Sequence, residues 1–167
     1  MATANDYRAV ITTPLGRIGI RMTGEAVSAL DYLSADAPER GPADTATRAV
    51  IEQLEAYFRD PHHRFTVPLT LAGSAFQQRV WAALQTIPTG TVLTYGQLAR
   101  QLDTAARAIG GACRSNPVPI LVPCHRVVAR QGLGGYAGEV GGDPLEIKHW
   151  LLRHEGVTVE RAHRKLA

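Results

Sequence analysis

Residues 117–128 read PVPILVPCHRVV, and no other stretch restricts the fold as tightly. Prolines at 117, 119 and 123 hem in an apolar run, Ile120-Leu121-Val122. Proline lacks a backbone N–H and pushes its predecessor toward extended geometry. The run therefore reads as a short buried strand that ends at Pro123. Cys124, His125 and Arg126 follow at once. A free thiol has a pKa of about 8.5, so little of it is thiolate at neutral pH. A neighbouring His or Arg raises that fraction. Adjacent side chains on an extended strand point to opposite faces. Thiol and imidazole converge only if the chain turns at Pro123-Cys124. On spacing alone, Cys124 is equally readable as a reactive nucleophile and as a buried structural thiol. Cys113, the other cysteine, reads as structural.

Charge divides the chain. The net charge is +3, but residues 1–74 hold 7 Arg/Lys against 9 Asp/Glu, and residues 75–167 hold 11 against 6. Between Ala75 and Arg130 stand six arginines and one acid, Asp103. A basic field confined to one half suggests an anionic partner, with nucleic acid the commonest candidate. The alternative is a solvated basic face. No apolar run approaches the roughly 18 residues of a membrane span. The N-terminus, MATANDYRAVITT, lacks the basic head and apolar segment of a signal peptide. Two cysteines make no disulfide framework, so the expected compartment is a reducing cytoplasm with both thiols free.

The organisation changes where the charge does. YRAVITT, GRIGIRM and VSALDYL read as short strands, the first two separated by the turn signal Pro14-Leu15-Gly16. Thr45 to Arg59 shows helical periodicity, with Val50, Ile51, Leu54, Tyr57 and Phe58 on one stripe. A proline-rich extended segment, PHHRFTVPLTLAG, leads to a boundary near Leu71 to Ser74. This predicts domains of residues 1–73 and 74–167. Ser74 is a plausible N-cap for the helix that follows, with Phe76, Val80, Trp81 and Leu84 inward. YGQLARQLDTAARAIGGACRSN then splits at Asp103-Thr104, either of which can cap the second piece. Two short helices with a tight turn in the basic half suggest a helix-turn-helix. The second is slim: Ala105, Ala106, Ala108, Gly110, Gly111 and Ala112 surround Arg107 and Ile109. Each glycine costs roughly 1 kcal/mol relative to alanine in a helix. Close approach to another surface explains that cost; tight packing on a neighbouring helix explains it equally.

PVPILVPCHRVV resembles the active-site signature of the O6-alkylguanine-DNA alkyltransferases, also called methylated-DNA–protein-cysteine methyltransferases. YGQLARQLDTAARAIGGACRSN resembles that family's helix-turn-helix. GLGGYAGEVGG and KHWLLRHEG resemble its substrate loop and final helix. The likeness covers about residues 74–156; residues 1–70 share only the layout of the variable N-terminal domain. It implies an α+β fold: a small N-terminal α/β domain, with a short antiparallel sheet plus helix in a ribonuclease H-like layout, and a mainly helical, winged-helix-like C-terminal domain.

The resemblance also implies a chemistry. Cys124 would accept the alkyl group from guanine O6, and from O4-alkylthymine, once and irreversibly. His125 would take the thiol proton through a water, with Glu155 orienting it. Asn116 would hold the turns together, and Tyr95 would supply a proton to the leaving guanine. Arg107 would intrude into the base stack from the minor groove as the damaged nucleotide flips out. Tyr95, Ala106, Ala108, Gly110, Arg114 and Arg126 would contact DNA. Val128, Gly135, Tyr136 and Ala137 would line the base pocket. Lys148 is a candidate structural hydrogen-bond donor. No cofactor is implied. The zinc of some relatives is not expected, because residues 1–74 contain no cysteine and His62-His63 lack partner ligands. The expected partner is double-stranded DNA carrying O6-alkylguanine, with no membrane association and a monomer in solution. The chief alternative is a non-catalytic alkylated-DNA binder of the alkyltransferase-like type, which lacks the acceptor cysteine. A transcription factor or a cysteine hydrolase is the other alternative.

Overall fold

The computed structural model describes residues 6–134 and 144–158. The chain divides into two compact units, the first ending at Ala72 and the second beginning at Gly73. In the first, β1 (Ala9–Thr13), β2 (Gly16–Thr23) and β3 (Ala26–Leu33) form an antiparallel meander in the order β1-β2-β3. Register runs from Ala9↔Ile20 to Thr13↔Gly16 and from Arg17↔Leu33 to Thr23↔Ala26, with one irregularity at Arg21/Met22. Ile18, Ile20, Val27 and Leu30 are buried. α1 (Thr45–Arg59) is capped by the Asp44 carboxylate, which accepts from the Thr47 amide at 2.7 Å. Its Val50, Leu54 and Tyr57 form the inward stripe. The segment after it returns to the sheet: the Val27 amide donates to the Pro68 carbonyl, and the Thr70 amide to the Val27 carbonyl.

The second unit opens with α2 (Ala75–Leu84). Ser74 caps it through a reciprocal box, its Oγ accepting from Gln77 N at 3.1 Å and its own N–H donating to Gln77 Oε1 at 2.9 Å. Such a cap contributes about 1 kcal/mol. Trp81 is 1% exposed and donates its indole N–H to the Ala112 carbonyl at 2.9 Å, fixing α2 against the small-residue helix. Two residues of parallel ladder follow: β4 (Leu93–Thr94) pairs with β5 (Val127–Val128). That ladder sets the start of α3 (Tyr95–Gln101) beside the end of the cysteine segment. Thr94 and Gln97 form a second capping box.

α4 (Ala106–Arg114) completes the hairpin, and α5 (Pro144–His154) closes the described unit. Neither Asp103 nor Thr104 caps α4. The N-cap is Ala105, with no side-chain hydrogen bond. Asp103 instead takes the left-handed conformation, φ +53°, that lets the chain reverse. The Thr104 amide then bonds the Ala99 carbonyl, and the turn's geometry overrides the residue's capping preference. No helix of the described residues is long and apolar enough to cross a membrane.

Candidate functional site

The run Ile120-Leu121-Val122 is not a strand. Its three flanking prolines cannot supply a ladder of donors, and it forms a compact turn with one isolated bridge, Pro119↔Val122. Ile120, buried and β-branched, sits at φ +76°. A non-glycine residue held there costs about 1–3 kcal/mol and persists only where its surroundings dictate it. Asn116 supplies much of that dictation. Its Nδ2 donates to the Val122 carbonyl at 2.8 Å, and its Oδ1 accepts from the Val118 amide at 3.0 Å. The Cys124 amide donates to the same Val122 carbonyl at 2.8 Å. Cys124, His125 and Arg126 then form a single 3₁₀ turn. This is the turn that bringing thiol and imidazole together requires.

His125 is wholly buried, and its Nε2 lies 2.7 Å from Glu155 Oε2. Glu155 follows α5, so the end of that helix delivers the carboxylate. Burial drives His125 below its ordinary 6.5, Glu155 pushes it up, and Arg126 and Lys148 push it down; the net shift is downward. A neutral ring that donates from Nε2 keeps its lone pair on Nδ1. That Nδ1 is buried and has no hydrogen-bond partner among the described residues. Burial raises Glu155, but His125 and Arg126 outweigh it and hold the carboxyl down at about 2.

Cys124 is 3% exposed, and burial raises its pKa above the ordinary value. The groups that oppose this are the Asn116 side chain, Lys148 and the Cys124 backbone amide. Neither His125 nor Arg126 is among them. At rest the sulfur is a sheltered, protonated thiol. Cys113 is pushed up to about 12, chiefly by burial.

Lys148 is fully buried on the inward stripe of α5, with Ile147, Leu151 and Leu152. Its Nζ donates to the Val127 carbonyl at 2.7 Å and to the Tyr95 hydroxyl at 3.4 Å, and stands 5.6 Å from the Tyr95 ring centroid. Desolvation lowers it to about 8. Lys148 thereby links Tyr95 to the turn that carries Cys124. A lysine on the apolar face of an amphipathic pattern is a signal readable in the sequence, and its reach to Tyr95 was not.

Arg126, expected to meet DNA, makes internal hydrogen bonds in the free chain. Its Nε donates to Glu155 Oε1 at 2.7 Å, Nη1 to the Ile87 carbonyl at 2.6 Å, and Nη2 to Thr89 Oγ1 at 3.0 Å and Glu155 Oε2 at 3.2 Å. Val128, expected on a pocket wall, is 1% exposed and belongs to a buried cluster with Val92, Leu152 and Val157. Gly135, Tyr136 and Ala137 lie outside the described residues.

On α4, Ala106, Arg107 and Arg114 are exposed, Ala108 and Gly110 are half-buried, and Ile109, Ala112 and Cys113 face the core. A Cβ built on Gly110 or Gly111 would meet nothing within 4 Å. Packing against a neighbouring helix therefore does not explain these glycines; their side of α4 is open. A cysteine turn backed by a histidine and a carboxylate, beside a hairpin with a slim open helix, is the apparatus of an activated-cysteine protein on a helix-turn-helix domain.

Comparison with known proteins agrees. The model of the 6-O-methylguanine DNA methyltransferase DNA-binding domain matches residues 75–157. The methylated-DNA–protein-cysteine methyltransferase of Methanosarcina acetivorans is 36% identical over 158 residues, covering 90% of this chain and 98% of that protein. The Shigella flexneri protein of the same name is 54% identical over 94 residues, and that match spans only about half of each chain, 54% and 52%. Among solved structures, a Mycobacterium tuberculosis O6-methylguanine methyltransferase aligns with TM-score 0.75 at 37% identity, over 87% of this chain and 90% of that one. A structure from the same organism in complex with DNA aligns with TM-score 0.75 over 94% and 95%. The chain belongs to the methylated-DNA–protein-cysteine methyltransferase family, and its architecture is the two-domain α+β fold of those structures.

Proposed function

We propose that this protein repairs DNA by direct reversal, transferring the alkyl group of O6-alkylguanine to Cys124 in a single, irreversible turnover. The observation that carries the reading is the His125–Glu155 pair at 2.7 Å, which leaves a buried Nδ1 without a partner among the described residues, on the residue that follows Cys124 in the same turn. The sulfur–carbon bond forms as the carbon–O6 bond breaks. The thiol proton goes to His125 through a water, and the departing guanine takes one proton, a role for which Tyr95 is the candidate. Lys148, bonded to Tyr95 and facing the sulfur's charge, stabilises the thiolate as it develops. Sulfur attack on saturated carbon needs no metal or cofactor to activate the substrate.

A buried thiol cannot reach an O6 inside a stacked duplex, so the nucleotide is flipped out. The open, small-residue face of α4 suits close approach to the minor groove, with exposed Arg107 filling the vacated stack and Arg114 contacting phosphate. O4-alkylthymine offers the same electrophilic carbon and is the second expected substrate. The test is a duplex carrying O6-methylguanine labelled on the methyl group. One equivalent of label is expected on Cys124 and none on Cys124→Ala, which retains DNA binding. Label that never reaches the protein, or that exceeds one equivalent, overturns the proposal.

A further inference from the structure

Arg126 makes four hydrogen bonds within a small region, and its geometry points beyond a structural tie. It bonds both oxygens of Glu155, at 2.7 and 3.2 Å, while Ile87 and Thr89 fix its other end. Glu155 Oε2 is thus shared between a guanidinium and the imidazole Nε2. We propose that Arg126 is a positioning residue for the transfer: by sharing the Glu155 carboxylate it keeps His125 uncharged, with Nδ1 free to accept the thiol proton. This inference rests on the functional reading above and extends it by one residue.

The argument is electrostatic. An isolated buried carboxylate beside an imidazole favours the imidazolium, because the pair is then neutral. A charged ring donates from both nitrogens and accepts nothing. Adding Arg126 makes the carboxylate–guanidinium pair neutral by itself, so protonating His125 creates a net buried charge. Three groups face the ring electrostatically: Glu155 after α5, Arg126 on the same turn, and Lys148 on α5. Glu155 alone favours the proton; Arg126 and Lys148 oppose it, and burial reinforces them. Arg126 touches the carboxylate directly.

The test is the titration of His125 in the free protein, read from the imidazole nitrogen shifts by NMR, alongside the pH profile of single-turnover transfer. In the wild type the ring is expected neutral and protonated on Nε2 at pH 7, with proton uptake below its ordinary 6.5. Since the base must be neutral, transfer is lost as pH falls through that value. In Arg126→Gln, the His125–Glu155 pair is expected to take up its proton at a higher pH than in the wild type, and the acid limb of transfer moves up with it. Arg126→Lys, which keeps the cation, restores most of the displacement. Thr89→Val, which removes only an outer anchor, leaves the limb in place. A merely structural Arg126 lowers stability and active fraction without moving either titration, and that result overturns the proposal. Should Arg126→Gln not fold, the wild type decides: a charged His125 ring at pH 7 refutes the inference. Because the ring is titrated without DNA, a protein that transfers no alkyl group sinks the functional reading and leaves this measurement standing. A wild type that transfers normally while Arg126→Gln keeps its limb sinks this inference alone.

Discussion

Replacing Glu155 by glutamine removes a carboxylate that the fold holds at about 2 from an ordinary 4.5. The side chain is wholly buried, so solvent screening does not discount the effect. The sign follows from linkage. A carboxyl with a depressed folded pKa stabilises the native state fully above its unfolded value, and that contribution fades as pH falls toward the folded value. A shift of this size at 1.36 kcal/mol per unit amounts to about 3 kcal/mol at pH 7. Integrating the same two values leaves about 1.5 kcal/mol at pH 3. Guanidinium unfolding of wild type and Glu155→Gln across pH 7 to 3 checks this. The stability gap between them is expected to shrink by about 2 kcal/mol over that range, with equal m values. Exposed carboxylates occur in both proteins and cancel in the difference. A gap that stays constant with pH refutes the assignment of Glu155 as a native-state anion paired with His125 and Arg126.

Asn116→Ala strands the Val118 amide and leaves the Val122 carbonyl to the Cys124 amide. It is expected to cost about 1–3 kcal/mol in thermal or chemical unfolding and to release the strain at Ile120, slowing transfer in the molecules that remain folded. Gly111→Ala adds a methyl where nothing stands within 4 Å, so stability rises by up to about 1 kcal/mol; a leucine at Gly110 keeps the fold but weakens duplex binding in a fluorescence titration. Gly134 has φ +72°, and a Cβ there would lie 2.7 Å from the Tyr95 ring and 3.2 Å from the Ala129 amide. Gly134→Ala is expected to destabilise by about 1–2 kcal/mol through the backbone alone and to displace Tyr95. Slower transfer with unchanged duplex affinity is the expected readout.

Much of the scaffold was legible because local and tertiary preferences agree in it. Ser74 with Gln77 three residues on is a capping signature, and the stripe Val50, Leu54, Tyr57 has one possible inward face. Legibility failed where a tertiary demand overrode a local rule. Asp103 has the chemistry of a cap but is needed at positive φ, so Ala105 begins α4. Ile120 has strand propensity and lies in the left-handed region, because burial and the Asn116 clamp outweigh its backbone preference. Arg126 was counted among the basic residues of its half, and a charge count holds no information on which way a side chain turns. Glu155 is 30 residues from His125. Its pairing came from the family resemblance; spacing alone could not have supplied it.

Under the proposed single-turnover transfer, the seclusion of Cys124 has a consequence. Small electrophiles diffusing past meet a sulfur that is 3% exposed and still carries its proton, so they squander few copies. In the proposed reaction a lesion delivered into the interior meets the proton acceptor, the lysine and the sulfur together, and discrimination between damaged bases and stray alkylators then comes from access rather than from the intrinsic appetite of the thiol.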